Sequence, residues 1–209
     1  MSRILCVDTS SFICSVSVFE NLSLISSHSS EVERSHSKLI IQLIDQSLKD
    51  AKIKINEVDA FAVSMGPGSY TGLRIGVSTI KGLCYSLEKP LISINTLEIL
   101  SKSALNHINN SNDFFICPMI DARREEVYTM ILDHNKKVIK NTWAEVLNVD
   151  SFLKYSNDNV TVSEPQSPDI FDYDNAAISE RYSLALLKYY NAIISDDHTL
   201  VIFKGHYGL

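Results

Sequence analysis

The stretch that decides the fold is Gly66-Pro67-Gly68-Ser69-Tyr70-Thr71-Gly72-Leu73-Arg74-Ile75-Gly76. It follows an apolar run at 60–65, which predicts a buried strand, and it opens a helical pattern that continues to about residue 88. Glycines at 66 and 68 permit backbone angles that other residues avoid, and Ser69 or Thr71 can accept hydrogen bonds from the first N–H groups of the helix. The stretch therefore predicts a sharp strand-to-helix turn, which either presents N–H groups to an anion or lets two elements pack closely.

The glycine spacing argues against two nucleotide-binding loops. A Walker A loop needs Lys and then Ser or Thr directly after its last glycine, but Leu73 follows Gly72. The dinucleotide fingerprint needs G-x-G-x-x-G, whereas three residues separate Gly68 from Gly72. The next strand ends near Asn95 without an acidic residue that could bind a ribose. We therefore expect neither a P-loop nor an NAD site.

The residues around this stretch predict an α/β half. Strands are expected where short apolar or alternating runs end in turn-forming residues, at 4–8, 14–18, 22–27 and 91–94. Apolar residues at helical spacing predict one helix over 35–51 and another from Thr96 to about residue 108. The polar stretch 107–113 predicts a boundary between two domains, 1–108 and 109–209.

The second half begins like the first. An apolar strand over 114–120 ends at Asp121, a polar turn follows, and an alternating strand runs from Val127 to Ile131. Further strands are expected near Val138 and Val160, with a final helix over 176–193. Two copies of strand, acid, turn and strand predict an internal duplication. The expected fold class is α/β, with duplicated ribonuclease H-like halves resembling the actin-like ATPase (ASKHA) fold and mixed sheets flanked by helices.

Composition narrows the class of protein. The 209 residues are 45% apolar, which is enough for a substantial core, and they carry a net charge of −6 that repels a phosphate backbone. If RNA is the substrate, another chain must hold it. The four cysteines form no C-x-x-C pair and are expected to be buried, reduced thiols in a cytoplasmic protein. The apolar run at the start is too short for a secretory signal, and no later run is long enough to span a membrane.

Several segments resemble the TsaB (YeaZ-type) family of tRNA-modification proteins. The eleven residues 66–76 are similar to the signature of that family, in which Arg74 is included. Asp8-Thr9-Ser10 resembles its first phosphate-type turn, Ser35-His36-Ser37 the start of its first helix, and Asp121-Ala122-Arg123-Arg124 with Val127-Tyr128 its D-A-R-x-x-E-V-Y segment. The matches run in order over about the first 130 residues. Residues 161–168, which lack the G-x-G-like turn of the family, and the C-terminal segment depart from it.

The resemblance implies an accessory role in the synthesis of N6-threonylcarbamoyladenosine (t6A) in tRNA. A TsaB-type chain is a scaffold that binds and activates the catalytic subunit TsaD, works with the ATPase TsaE, pairs with itself when alone, and meets tRNA only through the complex. No catalytic residue, metal ion or cofactor is then expected on this chain, and ATP with Mg²⁺ acts at the level of the complex. TsaD-type proteins place two metal-binding histidines one turn apart on a helix, but here Ile40 follows His36.

Two other classes of function stay open on the residues alone. The first is a stand-alone ATP-dependent phosphotransferase or ATPase of the actin and sugar-kinase class. In that case Asp8, Thr9, Ser10 and Asp121 would lie at the turns that face the nucleotide. The second is a peptidase, against which the sequence contains neither H-E-x-x-H nor a recognisable nucleophile motif.

The first helix predicts a partner surface. Its apolar residues cover an arc of about 200°, wider than the stripe of about 100° that one core needs. Either another protein or a third layer of the same chain must cover the excess, and Ile41 and Leu48 at one edge of the arc are expected to be its exposed part. The resemblance adds that the first two helices of TsaB and TsaD pair with each other. The expected interface residues are Leu39, Ile41, Ile44, Leu48 and Ile75.

Overall fold

The computed structural model describes residues 1–30, 36–105, 114–124, 126–133, 135–148, 151 and 199–205. They form two compact units, one from Met1–Thr96 and one from the described part of Leu97–His206. The boundary expected at 108/109 lies outside the described residues, as do the strand expected near Val160, residues 161–168 and the helix expected over 176–193.

The first unit is built on a five-stranded sheet. Its strands are β1 (Arg3–Asp8), β2 (Cys14–Glu20), β3 (Ser23–Ser30), β4 (Ala60–Ser64) and β5 (Leu91–Ile94), arranged in the order β3-β2-β1-β4-β5. β1 pairs antiparallel with β2 and parallel with β4, so the sheet is mixed. β4 is buried along its whole length, as its apolar sequence predicts for a strand with neighbours on both sides. All five expected strands are confirmed.

Two helices, α1 (His36–Ala51) and α2 (Tyr70–Leu87), pack against this sheet. The alternating residues of β2 point Cys14, Val16 and Val18 into the shared core, with Phe61 of β4 and Ile80 of α2 among its fully buried members. A third helix, α3 (Thr96–Leu105), follows β5, and the residues directly beyond it are not described. The three expected helices are therefore confirmed in type and position.

One expectation about α1 is wrong. Ile41 is exposed, at 55% of its surface, but Leu48 is only 7% exposed and belongs to the core. After α1 the chain reverses at Lys52, whose φ is 56°, and the N–H of Ile53 donates to the carbonyl of Leu48 at 3.0 Å. Ile53 is itself buried in the same core, so this return of the chain covers the C-terminal edge of the apolar arc.

The second unit repeats the strand order of the first. Its described strands are β6 (Phe114–Arg123), β7 (Glu126–Asp133), β8 (Val138–Val146) and β9 (Thr199–Gly205), in the order β8-β7-β6-β9. β6 pairs antiparallel with β7 and parallel with β9, as β1 does with β2 and β4. The expected duplication is therefore present in the topology. β9 was not expected from the sequence, and Asp121 lies within β6, which continues to Arg123, rather than at its end.

The burial pattern of α1 makes a stability prediction. Leu48→Ala should lower the free energy of unfolding by about 2–5 kcal/mol, because it leaves a cavity in the core. Ile41→Ala on the same helix should change it by about 0.5 kcal/mol or less, because that side chain is mostly in solvent. Urea unfolding of both variants measures the difference. Equal effects would contradict the assignment of Leu48 to the core.

Candidate functional site

The turn after β1 is held by one carboxylate oxygen. Asp8 Oδ1 accepts hydrogen bonds from the backbone N–H of Ser10 at 2.8 Å, from Ser10 Oγ at 2.6 Å and from Ser64 Oγ at 2.7 Å. Ser64 is the last residue of β4, which pairs with β1. Charge-assisted bonds of this kind are stronger than neutral ones, so Asp8 fixes the turn and ties it to the neighbouring strand.

The glycine-rich stretch forms the predicted strand-to-helix turn directly beside it. The peptide bond from Gly66 to Pro67 is cis, and Gly66 has a φ of 108° that favours glycine. The N–H of Ser69 donates to the carbonyl of Ser10 at 2.7 Å. Ser69 Oγ then accepts from the N–H of Gly72 at 3.3 Å, so Ser69 caps α2, which begins at Tyr70.

Three glycines at a spacing of four residues press against the Asp8 turn. A Cβ added to Gly68 would lie 2.4 Å from the carbonyl oxygen of Ser10, and one added to Gly72 would lie 2.1 Å from that of Thr9. A Cβ added to Gly76 would lie 2.1 Å from Thr9 Oγ1. We call Gly68, Gly72 and Gly76 the glycine face. It exists because no larger residue lets α2 approach the turn so closely.

This packing supports the second interpretation of the stretch, the close packing of two elements. Thr9 and Ser10 are fully buried, and Thr9 Oγ1 lies against Gly76 without a hydrogen-bond partner among the described residues. The N–H groups of Ser69 and Gly72 already donate to atoms of this chain. The strand-to-helix turn therefore brings the β1 turn and α2 into close contact. The N–H groups of Ser69 and Gly72 are not free to bind an anion.

The described residues place no ionised thiol at the turn. Cys14, at the start of β2, is buried, and burial together with the charge of Asp8 raises its pKa from 9.0 to about 11. In the second unit, burial raises the pKa of Cys117 to about 12. Cys84 is also buried, Cys6 is half-buried, and all four cysteines are free thiols, as expected. A thiol with such a pKa is a poor nucleophile at neutral pH.

Asp121 forms a different kind of turn in the second unit. Its Oδ1 accepts from the N–H of Arg123 at 2.7 Å, and Arg123 and Arg124 have φ values of 70° and 55° in the tight connection to β7. Nothing in the described residues tests whether Asp8 and Asp121 face one nucleotide. No group of three His, Cys, Asp or Glu side chains suited to a metal ion occurs in the described part of the chain. The side chain of His36 lies outside it.

The predicted interface residues separate into two groups. Ile44 and Leu48 are buried, and Leu39 and Ile75 are half-buried against the core, whereas Ile41 is exposed. Ile41 lines a groove of about 490 Å³ together with Leu83 of α2 and the return of the chain at Ile53. This groove runs along α1 and the return of the chain, with Leu83 as its lining residue from α2, and its use as a partner surface stays a prediction. Residues such as Leu83, on the second helix, were missed because an isolated helix pattern does not show its neighbour.

Arg74 lies on the outer surface of α2. Its guanidinium stands over the ring of Tyr70 at 5.4 Å from the ring centre, and both side chains are exposed. Geometry of this kind is a cation–π contact. Arg74 forms no salt bridge with a described residue.

The repeated strand order and the turn under the glycine face define a protein of the actin-like ATPase fold class. The solved structure of YeaZ from Pseudomonas aeruginosa has this fold, with a TM-score of 0.62 and 28% identity over 70% of this chain and 68% of that one. The chain belongs to the TsaD family, described as tRNA N6-adenosine threonylcarbamoyltransferase, whose family model matches residues 25–188.

Within this family the chain is similar to TsaB. It is 35% identical to the tRNA threonylcarbamoyladenosine biosynthesis protein TsaB of Haemophilus influenzae, over 60% of this chain and 51% of that protein. It is 29% identical to the protein of the same description in Bacillus subtilis, over 66% of this chain and 58% of that protein. The chain thus spans less than two thirds of these relatives, and the resemblance to the TsaB family is confirmed. Among the helices that the structure describes, none is long and apolar enough to cross a membrane.

The glycine face makes a prediction with a control on the same helix. Gly72→Ala or Gly76→Ala should destabilise the protein by about 1–3 kcal/mol or more, because the new methyl group overlaps Thr9. Gly82→Ala should instead stabilise it by about 1 kcal/mol, since a Cβ there meets nothing within 4 Å and alanine is the better helix former. Denaturant unfolding of the three variants measures the sign. Loss of stability in G82A equal to that in G72A would contradict this account.

The raised thiol pKa values predict how the native protein reacts. At pH 8, Cys14 and Cys117 should resist alkylation in the native protein and react in denaturant, because their folded pKa values of about 11 and about 12 keep them protonated. The protonated thiols contribute stability that is full below pH 9.0 and is lost as the pH rises toward 11 and 12. Mass spectrometry after timed alkylation measures the labelling. Rapid native labelling of Cys14 would show that the turn holds an ionised nucleophile.

Proposed function

We propose that this chain is an accessory, non-catalytic subunit for t6A synthesis in tRNA, which binds and activates the catalytic subunit TsaD. Family membership and the similarity to TsaB proteins support a role in this modification. The observation that carries the accessory role is the packing of the Asp8 turn. The residues that would serve catalysis at this turn bond to one another and pack against the glycine face instead.

The chemistry of the described residues supports a role without catalysis. One carboxylate oxygen of Asp8 accepts hydrogen bonds from three donors of this chain. The thiol of Cys14 is protonated at neutral pH because its pKa is raised to about 11. Thr9 and Ser10 are buried. A nucleotide-binding turn needs exposed N–H groups, but those of Ser10, Ser69 and Gly72 donate to atoms of this chain. The stand-alone ATPase alternative gains no support from these contacts, and nucleotide use is assigned to the complex.

The charge of the chain supports a division of labour in the complex. With a net charge of −6, this chain adds a repulsive field to any tRNA that approaches it. TsaD is therefore proposed to hold the tRNA and to carry out the transfer. A TsaE-type ATPase acts on the assembled pair, and this chain contributes by docking.

The docking surface is proposed to be the groove between α1 and α2. Ile41 exposes more than half of its surface at the rim, and Leu83 lies on the opposite helix. Six of the lining residues are apolar and four are charged: Asp45, Lys49, Lys52 and Lys54. Exposed apolar area at a groove is the usual mark of a protein contact. When the partner is absent, the same surface is proposed to pair two copies of this chain.

A reconstitution with variants tests the proposal. TsaC, TsaD, TsaE, tRNA, ATP, bicarbonate and threonine should give little t6A without this chain and full modification with it. Ile41→Asp should weaken binding to TsaD at least about tenfold, because docking would bury an unpaired charge. Leu22→Asp is the matched control, since Leu22 is 90% exposed in the β2–β3 turn and should leave binding unchanged. Calorimetry measures binding, and chromatography of tRNA nucleosides measures t6A.

Two results would contradict the proposed function. Full modification in the absence of this chain would show that it is not needed. Tight ATP binding with hydrolysis by the isolated chain would favour the stand-alone enzyme instead.

A further inference from the structure

The outer face of α2 carries an exposed stripe of two aromatic residues, two basic residues and one serine. At a spacing of three or four residues along the helix, its members share one side of α2. We call these residues the α2 stripe: Tyr70, Arg74, Ser78, Lys81 and Tyr85. Tyr70 is 74% exposed and Tyr85 is 90% exposed, so neither ring takes part in the core. Exposed tyrosines beside basic residues need an explanation outside the fold of this unit.

The charge of α2 is opposite to that of the chain. α2 contains Arg74 and Lys81 and no acidic residue, whereas the whole chain carries 25 acidic and 19 basic residues. Neither cation forms a salt bridge with a described residue. The helix dipole does not account for Arg74, because cations stabilise the C-terminal end of a helix and Arg74 lies near the N-terminal end.

Gly82 is a second feature of α2 that the fold of the unit does not explain. The other glycines of the helix, Gly72 and Gly76, are required by contact with Thr9, but a Cβ on Gly82 would meet nothing within 4 Å. A glycine inside a helix costs about 1 kcal/mol relative to alanine. Gly82 lies next to Leu83 of the groove and one residue from the α2 stripe, where it leaves the backbone open to the close approach of another chain.

We infer that the α2 stripe selects the partner, by binding an acidic face whose carboxylates pair with Arg74 and Lys81. This inference rests on the proposed docking of TsaD at the neighbouring groove. Arg74 and Lys81 are seven residues apart, about 10 Å along the helix axis. A helix on the partner with two acidic residues at the same spacing matches them, while Tyr70 and Tyr85 lie at the two ends of the stripe as aromatic contacts.

The same charges disfavour a second copy of this chain at the stripe. If two α2 helices cross antiparallel about the point midway between Arg74 and Lys81, Arg74 of one copy lies opposite Lys81 of the second copy. Like charges across an interface oppose binding. A self-pair on this face is therefore weaker than the pair with an acidic partner, which can displace it.

The stripe is also a poor fit for tRNA. Nucleic-acid surfaces cluster many basic residues, because each neutralised phosphate adds to affinity by releasing a counterion. The stripe offers two cations, and the groove adds Lys52, Lys54 and Lys49, of which Lys49 is paired with Asp45, on a chain of net charge −6. An acidic protein surface can be bound through a few matched ion pairs. The small number of cations therefore favours a protein partner over tRNA.

A charge-reversal experiment tests the inference on the full chain. The double variant Arg74→Glu with Lys81→Glu should bind TsaD at least about tenfold more weakly at 50 mM NaCl, because it turns two attractions into repulsions. Wild-type binding should weaken as salt rises to 500 mM, and binding by the double variant should not. The control Lys102→Glu with Lys137→Glu changes the net charge equally at two exposed lysines outside α2 and should bind like the wild type.

A second variant tests the stripe without changing charge. Gly82→Leu should leave the thermal midpoint of the isolated chain unchanged or raised, since its side chain enters open space, yet it should weaken TsaD binding at least about tenfold by blocking close approach. Calorimetry and thermal unfolding of each variant separate loss of docking from loss of folding.

The outcomes separate this inference from the proposed function. If the wild type does not bind TsaD, the proposed function fails. If I41D weakens binding but the double variant and G82L bind like the wild type, docking stands and the role of the stripe is refuted. If the double variant loses tRNA binding, or changes only the self-association of the free chain, while its affinity for TsaD is unaltered, the stripe serves RNA or a second copy and the inference is overturned.

Discussion

The contact of α2 with the turn after β1 is the constraint on which the first unit depends. The helix comes so close that backbone and side-chain atoms of Thr9 and Ser10 occupy the space where Cβ atoms of Gly68, Gly72 and Gly76 would stand. This closeness fixes where α2 lies on the sheet. It also limits what the turn can do, because the same packing leaves Thr9 and Ser10 fully buried.

The contact links the sheet to the proposed docking surface. Asp8 and Ser64 join the ends of two neighbouring strands, and the turn after Asp8 receives one side of α2. The opposite side of the helix is left for solvent or a partner, with its aromatic and basic residues in one row. A protein that folds in this way has one face of α2 committed to internal packing and the other available for recognition.

Periodicity in the sequence was sufficient to predict most of the fold, since alternation and helical spacing report which side of each element is buried. The hydrophobic arc of α1 could not show which of its edges the chain itself covers. That answer came from the reversal at Lys52, which carries Ile53 back over Leu48 and leaves Ile41 exposed. The spacing of the glycines in α2 could be seen in the sequence. The residue that they contact, Thr9, could not be identified, because it is distant from them in sequence. β9 was missed although residues 200–203 form a short apolar run that is typical of a buried strand; only its neighbour β6, far away along the chain, could not be seen from the sequence. Whether Asp8 and Asp121 share a nucleotide stays a prediction.

The two sheets differ in how far apart along the chain their strands lie. The first sheet contains only residues up to Ile94, whereas the second brings Thr199 alongside Phe114. Strands that are distant along the chain pair slowly, because the entropy of closing a long loop is lost before the stabilising contacts form. Domains near the N-terminus also generally fold first during synthesis. The first unit can therefore form while the ribosome is still adding the residues of β9. A chain halted before that strand would already display α1 and α2, so the docking proposed for these helices would not have to wait for the end of synthesis.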